Sequence, residues 1–283
     1  MIIATVYDIN SVEQFSKAGI HAILLGAKGF SVRACKEVGL DELKIWKSAC
    51  DTYNIRIYMN CLKLIEQQEI EEIKLLLKTY QAIGIDGIYI ADEGIMEICD
   101  SMQLSMELIY QPETLMTNAM DVDFYIDQGI HAVCLAHELS LDEILNIADK
   151  NSNVEILAFG YFSVLYSRRP LISNYLKAIN SKYIYKEQRL DLIEQTRTGR
   201  MPIYEDKNGT YIFSEQPINS FDQIAAFKKA GIHRFRIDSI FFDDQWTLDL
   251  MSCIQKKQRP SLGSDHWYHQ TTTKVKEPDH EKN

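Results

Sequence analysis

Four segments of this chain repeat one pattern: "AGIHAILLG" from Ala18, "IGIDGIYIAD" from Ile83, "QGIHAVCLAHE" from Gln128 and "AGIHRFRID" from Ala230. Each carries a Gly-Ile pair, then His or Asp, then a short apolar or alternating run, and each follows a stretch with helical periodicity. Glycine accepts the left-handed conformation that ends a helix, so the unit is a helix, a glycine stop and a strand. Similar runs elsewhere bring the strands to eight, at 2–6, 22–25, 55–60, 87–91, 106–110, 132–136, 154–159 and 234–238. Helical patterns separate most of them, most clearly at 41–53, 66–83, 141–150 and 221–230. Eight strands alternating with helices over about 250 residues predict an α/β fold of the (β/α)8 TIM type. The alternative is a doubly wound open sheet. No G-x-G-x-x-G follows any strand, so a dinucleotide fold has no motif behind it.

Two parts stand outside the repeat. The barrel is expected over 1–258, with a basic insertion at 161–217 between strands seven and eight that is far longer than one helix requires. The remaining 259–283 is polar and is expected to form a C-terminal arm with a disordered tip.

A chain of 283 residues with 46% hydrophobic content can bury such a core. Its start, "MIIATVYDIN", lacks a basic region and reaches an acid at Asp8, and no apolar window approaches the roughly 18 residues of a membrane helix. A soluble cytoplasmic protein with no membrane partner is expected. Cys35, Cys50, Cys61, Cys99, Cys134 and Cys253 are widely spaced, with no C-x-x-C pair. They are read as small buried hydrophobes, and no metal site or other cofactor is predicted.

In a barrel of this kind, chemistry belongs at the carboxyl ends of the strands. Those ends present Tyr7 and Asp8, Gly26 and Lys28, Asn60, Asp92 with Glu93, Gln111 with Glu113, His137 with Glu138, Phe159 with Gly160, and Asp238. Asp92 and Glu93 suit a helix start. Glu138 and Asp238 lie where strands end, which makes them the stronger candidates for acid–base work, with His137 beside them.

The formal net charge is −10, yet "FGYFSVLYSRRPLISNYL" sets Arg168 and Arg169 among apolar and tyrosine residues as the seventh strand ends. From 161 to 200 eight bases face three acids, giving +5 and leaving −15 for the remainder. The same window holds Tyr161, Tyr166, Tyr175, Tyr183 and Tyr185. Arginine binds carboxylate or phosphate bidentately and tyrosine stacks on bases, so this patch suits an anionic ligand, from a dicarboxylate to RNA. The plainer reading makes "YKEQRLDLIEQTR", 185–197, a solvated helix face. H-E-x-x-H, G-x-S-x-G and P-loop motifs are absent. His266 and His269 form only an H-x-x-H in a polar tail. Ser163, Ser167 and Ser173 are expected near the barrel mouth, within the range of His137 across it.

"LLGAKGFSVRA" (24–34), "LAHELSLDEI" (135–144), "YSRRPLISNY" (166–175) and "AGIHRFRIDS" (230–239), in this order, resemble the collagenase-like proteins of peptidase family U32. The Ser173-Asn174-Tyr175 segment is the most specific part. "KNGTYIFS" (207–214) and "TTTKVK" (271–276) look like short Gram-positive-type members. The resemblance implies a (β/α)8 barrel and, in the branch that modifies tRNA, formation of 5-hydroxyuridine at the wobble position with prephenate as a required metabolite. Hydroxylating members often carry an iron–sulfur cluster on four cysteines. Two of those positions are Ser163 and Pro170 here, and proline cannot ligate iron, so no such cluster is expected. The family's His-Gly at the end of strand seven is Phe159-Gly160, and its Arg before Glu138 is His137. These departures imply altered chemistry or a subunit that assists a paralogous U32 partner.

Three functions follow as expectations. In tRNA modification, Arg168, Arg169, Ser173, Asn174, Tyr175 and Gln111 hold a small anionic metabolite, prephenate as co-substrate, or other anionic ligand. Lys28, Arg33 and the insertion contact tRNA, and Glu138, Asp238 or His137 position the reacting group. In a peptidase, the same rim carries a metal or Ser/His centre. The third is a non-catalytic binding subunit.

Overall fold

Side chains alternate along the apolar runs, so each strand has one face for a barrel axis and one for a surrounding helix. The computed structural model describes residues 1–193 and 199–269. The strands are β1 (Ile2–Thr5), β2 (Ala22–Ala27), β3 (Glu37–Val38), β4 (Arg56–Cys61), β5 (Gly87–Ile90), β6 (Glu107–Tyr110), β7 (Ala132–Cys134), β8 (Val154–Gly160), β9 (Ser163–Ser167), β10 (Leu190–Ile193), β11 (Arg200–Asp206), β12 (Gly209–Phe213), β13 (Ile218–Asn219) and β14 (Arg234–Ile237). The helices are α1 (Val12–Lys17), α2 (Leu40–Thr52), α3 (Ile70–Ile83), α4 (Glu93–Ser101), α5 (Ala119–Asp127), α6 (Leu141–Lys150), α7 (Leu171–Ala178), α8 (Ile224–Lys229) and α9 (Asp244–Gln255).

Parallel pairing runs β1-β2-β4-β5-β6-β7-β8-β14 and closes where Ile2 lies opposite Phe235. This is the (β/α)8 TIM barrel that the repeat predicts, with all eight predicted strands in place. Local chemistry sets the helix limits. Helix α6 has the predicted bounds, started by a capping box between Ser140 and Glu143. Helix α3 stops at Gly84 in the left-handed conformation, and its predicted first turn is instead a 3-10 turn at Gln67–Glu69.

Ala4, Ile23, Leu25, Ile57, Met59, Ile88 and Ile90 pack outward into the helix layer. Ile3, Leu24, Tyr58, Tyr89, Ile109 and Cys134 belong to the second cluster, along the axis. That axis is not the usual apolar filling. Glu155 and Arg236, with side chains 1% and 3% exposed, stand on it with Arg234. Arg234 Nε donates to Glu155 Oε2 at 3.1 Å, and the Tyr89 hydroxyl donates to the same oxygen at 2.7 Å. Arg234 also approaches Glu107, which Arg56 and Tyr58 hold at the amino end of the barrel, so the ionic contacts begin at the end opposite the mouth.

The chain leaves β8 at Gly160 and builds a four-stranded antiparallel sheet, β10-β11-β12-β9, with α7 against it. It returns through β13, whose Ile218 and Asn219 pair antiparallel with Gly160 and Phe159. The helix reading of 185–197 is corrected here. Leu190 and Ile193 pair with Ile203 and Arg200, because β11 offers its edge and Leu190 and Leu192 turn to the same, half-buried face. Residues 194–198, with Glu194 and Arg197, lie outside the described ones.

Gly160 has φ +125, and a Cβ there would be driven into the carbonyl oxygen of Asp238. Gly160→Ala is therefore expected to cost at least about 2 kcal/mol in a urea titration, since both the dihedral and the close approach disfavour a side chain. An unchanged midpoint would refute this.

The first part of the C-terminal arm is tied down. Asn219 Nδ2 donates to the carbonyls of Pro260 and Leu262 at 3.0 and 2.9 Å, and the buried Tyr268 hydroxyl meets Ser220 Oγ at 2.6 Å. The expected disordered tip, including "TTTKVK", lies at 270–283, outside the described residues. Among the described residues no helix is long and apolar enough to cross a membrane.

Candidate active site at the barrel mouth

Four elements bring charge to the carboxyl end of the barrel. The loop after β2 carries Arg33, the loop after β6 carries Gln111 and Glu113, the loop after β7 carries His137, and β14 supplies Arg236. Glu113 accepts from Arg33 and, at 2.9 Å, from Gln111 Nε2, while its second oxygen lies 3.7 Å from His137 Nε2. Arg236 donates to Gln111 Oε1, which joins this group to the axial ions. Burial alone would raise the Glu113 carboxyl, but the Arg33 guanidinium, His137 and Arg236 overcome it and hold the pKa at about 2. Asp238 goes the other way: burial raises it, and Arg236, the Ile240 amide and Arg33 offset this only in part. One carboxyl held below its ordinary value and one raised above it thus share the mouth, a pairing suited to proton handling. The Arg236 Nε is buried without a hydrogen-bond partner.

Beside this group, between the mouth and the insertion, lies a cavity of about 400 Å³. Its wall includes Tyr7, Arg33, Cys35, Glu37, Tyr204, Asp206, Lys207 and Phe241. Behind it Tyr166, Tyr211 and Tyr204 form a stacked row, with centroids 5.1 and 6.5 Å apart, and the Arg33 guanidinium sits over Tyr211. Burial, with the nearby Asp238 carboxylate, pushes the Cys35 thiol up to about 12, so it is held as a neutral thiol.

The structure brings together only part of what the sequence nominated. Arg33, Gln111 and His137 meet, with Asp238 beside them. Arg33 is turned inward, its side chain 9% exposed, rather than lying open on the rim. Glu138 is exposed and lines a separate cleft of about 720 Å³ with Glu215, His266 and Trp267. Lys28 and Arg169 are exposed, and Arg168 pairs with Glu66 across the rim. Asn174 and Tyr175 are exposed on α7. Ser173 anchors that helix through the buried Glu205, which accepts from the Ser173 hydroxyl and from the Ile172 amide at 2.7 Å. Asp92 is a helix cap, accepting from the Gly94 amide at 2.9 Å.

No serine reaches His137 through these bonds. Ser163 Oγ donates to the Leu165 carbonyl at 3.1 Å, Ser167 Oγ accepts from the Arg169 amide, and His137 faces Phe162. His266 and His269 turn to Ser264 and Asp265. Among the described residues no group of three or more His, Cys, Asp and Glu side chains could hold a metal ion. Ser163 with a committed hydroxyl and Pro170 with no donor atom do not fit a thiolate-bound iron–sulfur cluster.

Glu113, Arg236 and Glu155 are the main residues that pattern reading undervalued. A signal existed in "RFRID": arginines two apart on a barrel strand share a face, and both cannot be solvated if that face is the axis.

Residues 7–258 match peptidase family U32. The chain belongs to peptidase family U32. This U32 chain is 22% identical over 264 residues to tRNA hydroxylation protein P2 of Bacillus subtilis (strain 168), covering 89% of itself and 85% of that protein. It is 20% identical to tRNA hydroxylation protein P1 of the same organism, over 84% of itself but 58% of the longer relative. Against the 23S rRNA 5-hydroxycytidine C2501 synthase of Escherichia coli (strain K12) the identity is 23%, over 80% of this chain and 34% of that one. The solved structure of a U32 peptidase superposes with a TM-score of 0.53 at 9% identity, covering 84% of this chain and 91% of its own, and so shares the fold.

Proposed function

We propose that this U32 protein acts in RNA modification by hydroxylation. The specific reaction is formation of 5-hydroxyuridine at the tRNA wobble position, linked to prephenate, by this chain alone or with a paralogous U32 subunit. The observation that carries the reading is the barrel mouth itself: a hydrogen-bonded and ion-paired group of Arg33, Glu113, His137, Gln111 and Arg236, beside a tyrosine-walled cavity and under a basic insertion. The likeness to P2 runs over nearly the whole length of both chains, which supports the same role.

Roles divide by position. Arg168, Arg169, Lys28 and the exposed Lys177, Lys182 and Lys186 take phosphates, while Tyr175 and Tyr183, 64% and 45% exposed, give stacking surfaces. Arg169, Asn174 and Tyr175, all exposed, are assigned a free anion at the outer edge. Inside, Gln111, His137 and Asp238 orient the reacting group, with Glu113 holding Arg33. Glu138 serves the neighbouring cleft. No cluster or metal is assigned a step. The peptidase reading gains no support from the serines or His137, and the two tRNA hydroxylation proteins and the rRNA 5-hydroxycytidine synthase named above are RNA-modification proteins by name.

The test is mass spectrometry of tRNA from cells lacking the protein, complemented with wild type or with the Arg168→Ala/Arg169→Ala double variant. Wobble hydroxylation is expected to vanish on deletion, to return with wild type and to stay low with the variant. Unchanged modification in the deletion strain refutes the reading.

A further inference from the structure

Backbone strain marks the cavity beside the mouth. Among the described residues eight that are not glycine have positive φ. Four of them, Asn54, Gln103, Asn180 and Lys257, directly follow the caps of α2, α4, α7 and α9, where the left-handed conformation is the ordinary way to end a helix. The other four, Arg33, Glu113, Glu187 and Phe241, end no helix and gather at the mouth, and three of them, Arg33, Glu187 and Phe241, line the cavity. A phenylalanine at φ 69 is costly and persists only where its surroundings impose it. Phe213 and Tyr161 meet that ring edge-to-face, at 4.9 and 5.8 Å between centroids, and the Arg189 guanidinium lies over it at 5.1 Å.

The chemistry of the lining narrows the occupant. Arg33 and Lys207 bring donors, Glu37 and Asp206 bring acceptors, and Tyr204 and Phe241 bring rings. Lys207 is held by Glu37 at 3.0 Å, and Arg33 by Glu113, so neither cation is free to neutralise a dianion. With Glu187 the lining holds three acids to two bases, which opposes a dicarboxylate and suits a neutral planar ring with mixed donors and acceptors. A cavity of about 400 Å³ has room for one such ring and its sugar.

The geometry points to this cavity as the receptor for one everted pyrimidine base of an RNA, stacked against Phe241 or Tyr204 and read along its edge by Asp206, Lys207 and Arg33. The assignment rests on the RNA reading above and places the anionic metabolite elsewhere, toward Arg169. Burial raises the Asp206 carboxyl, with Glu37 adding repulsion, while the Asn208 amide and the Tyr211 hydroxyl donate to its Oδ1 and fix its orientation beside the cavity.

The test uses the full chain and a labelled anticodon stem-loop RNA carrying either uridine or an abasic ribose at the wobble position, with binding followed by fluorescence anisotropy. Wild type is expected to hold the uridine loop about tenfold more tightly, the scale of one stacked base, and Phe241→Gly or Asp206→Asn to shrink that gap below about threefold. Circular dichroism confirms that each variant folds, and Asp206→Asn, being isosteric, keeps the test open if Phe241→Gly does not. Equal binding of the two RNAs by wild type overturns the base site while leaving the RNA reading intact. Binding of neither RNA overturns both. A wild-type gap that survives in the folded variants removes the assigned residues and, with them, this placement.

Discussion

Glu155→Ala is expected to cost about 3–5 kcal/mol, the largest loss from any single substitution considered for this protein. Glu155 is 1% exposed, accepts from Arg234 and Tyr89, and faces the Arg236 guanidinium at 3.9 Å. Its removal takes the nearest carboxylate from two arginine side chains that are 9% and 3% exposed, leaving Arg234 its longer contact with Glu107 and Arg236 its bond to the neutral Gln111. The cost is that of uncompensated buried charge, not the net worth of the pair. Replacing Glu155, Arg234 and Arg236 together by Met is accordingly expected to recover most of the loss, because an apolar axis of similar volume carries no desolvation penalty. Urea midpoints measure both. A loss below about 1 kcal/mol for Glu155→Ala, against the scale for a buried pair, would show that water or rearrangement screens the axis.

The second large effect depends on pH. The folded-state pKa of Glu113 lies at about 2, below the ordinary value of 4.5. Its contribution is therefore present above the unfolded pKa and lost as pH falls through the folded one. The difference amounts to roughly 3 kcal/mol, released between about pH 5 and pH 2. Glu113→Gln is expected to lack this component, so its stability converges on wild type as acid is added and falls below it at neutral pH. Asp238 contributes with the opposite sign, since its raised pKa gives stability back on protonation, and because Glu113 is one of the groups that raise it, Glu113→Gln reduces that part as well. Arg33, His137, Arg236 and Gln111 all face the substituted group. Stability curves that stay parallel from pH 7 to about pH 2 would refute the assignment.

Much of the fold was legible because each barrel strand carries its own local signal. Gly84 ends α3 as the repeat requires, and Ser140 with Glu143 starts α6 at the predicted residue. The insertion was not legible in the same way. Leu190–Ile193 alternates over only four residues among charges, and its partner Arg200–Asp206 is a strand by virtue of pairing rather than composition. The site divided along a similar line. His137, Gln111 and Asp238 were visible because they follow strand ends, whereas Arg236 lies inside a strand and its meaning depends on which face closure of the barrel turns inward. Glu138 and His137 are adjacent in sequence, yet they serve different clefts, since neighbouring residues past a strand end need not point the same way.

The return of the chain through β13 separates the assembly of the barrel from that of its roof. Because Ile218 pairs with Gly160, the residues between them form a loop whose ends are stitched together beside β8. The entropy of closing that loop grows only with the logarithm of its length, so the barrel is nearly indifferent to how much chain is carried there. Closure of β1 against β14, by contrast, joins the two extremities of the barrel and must wait for a contact between distant parts of the chain. A roof of this kind can thus be exchanged or enlarged without renegotiating the folding of the barrel beneath it.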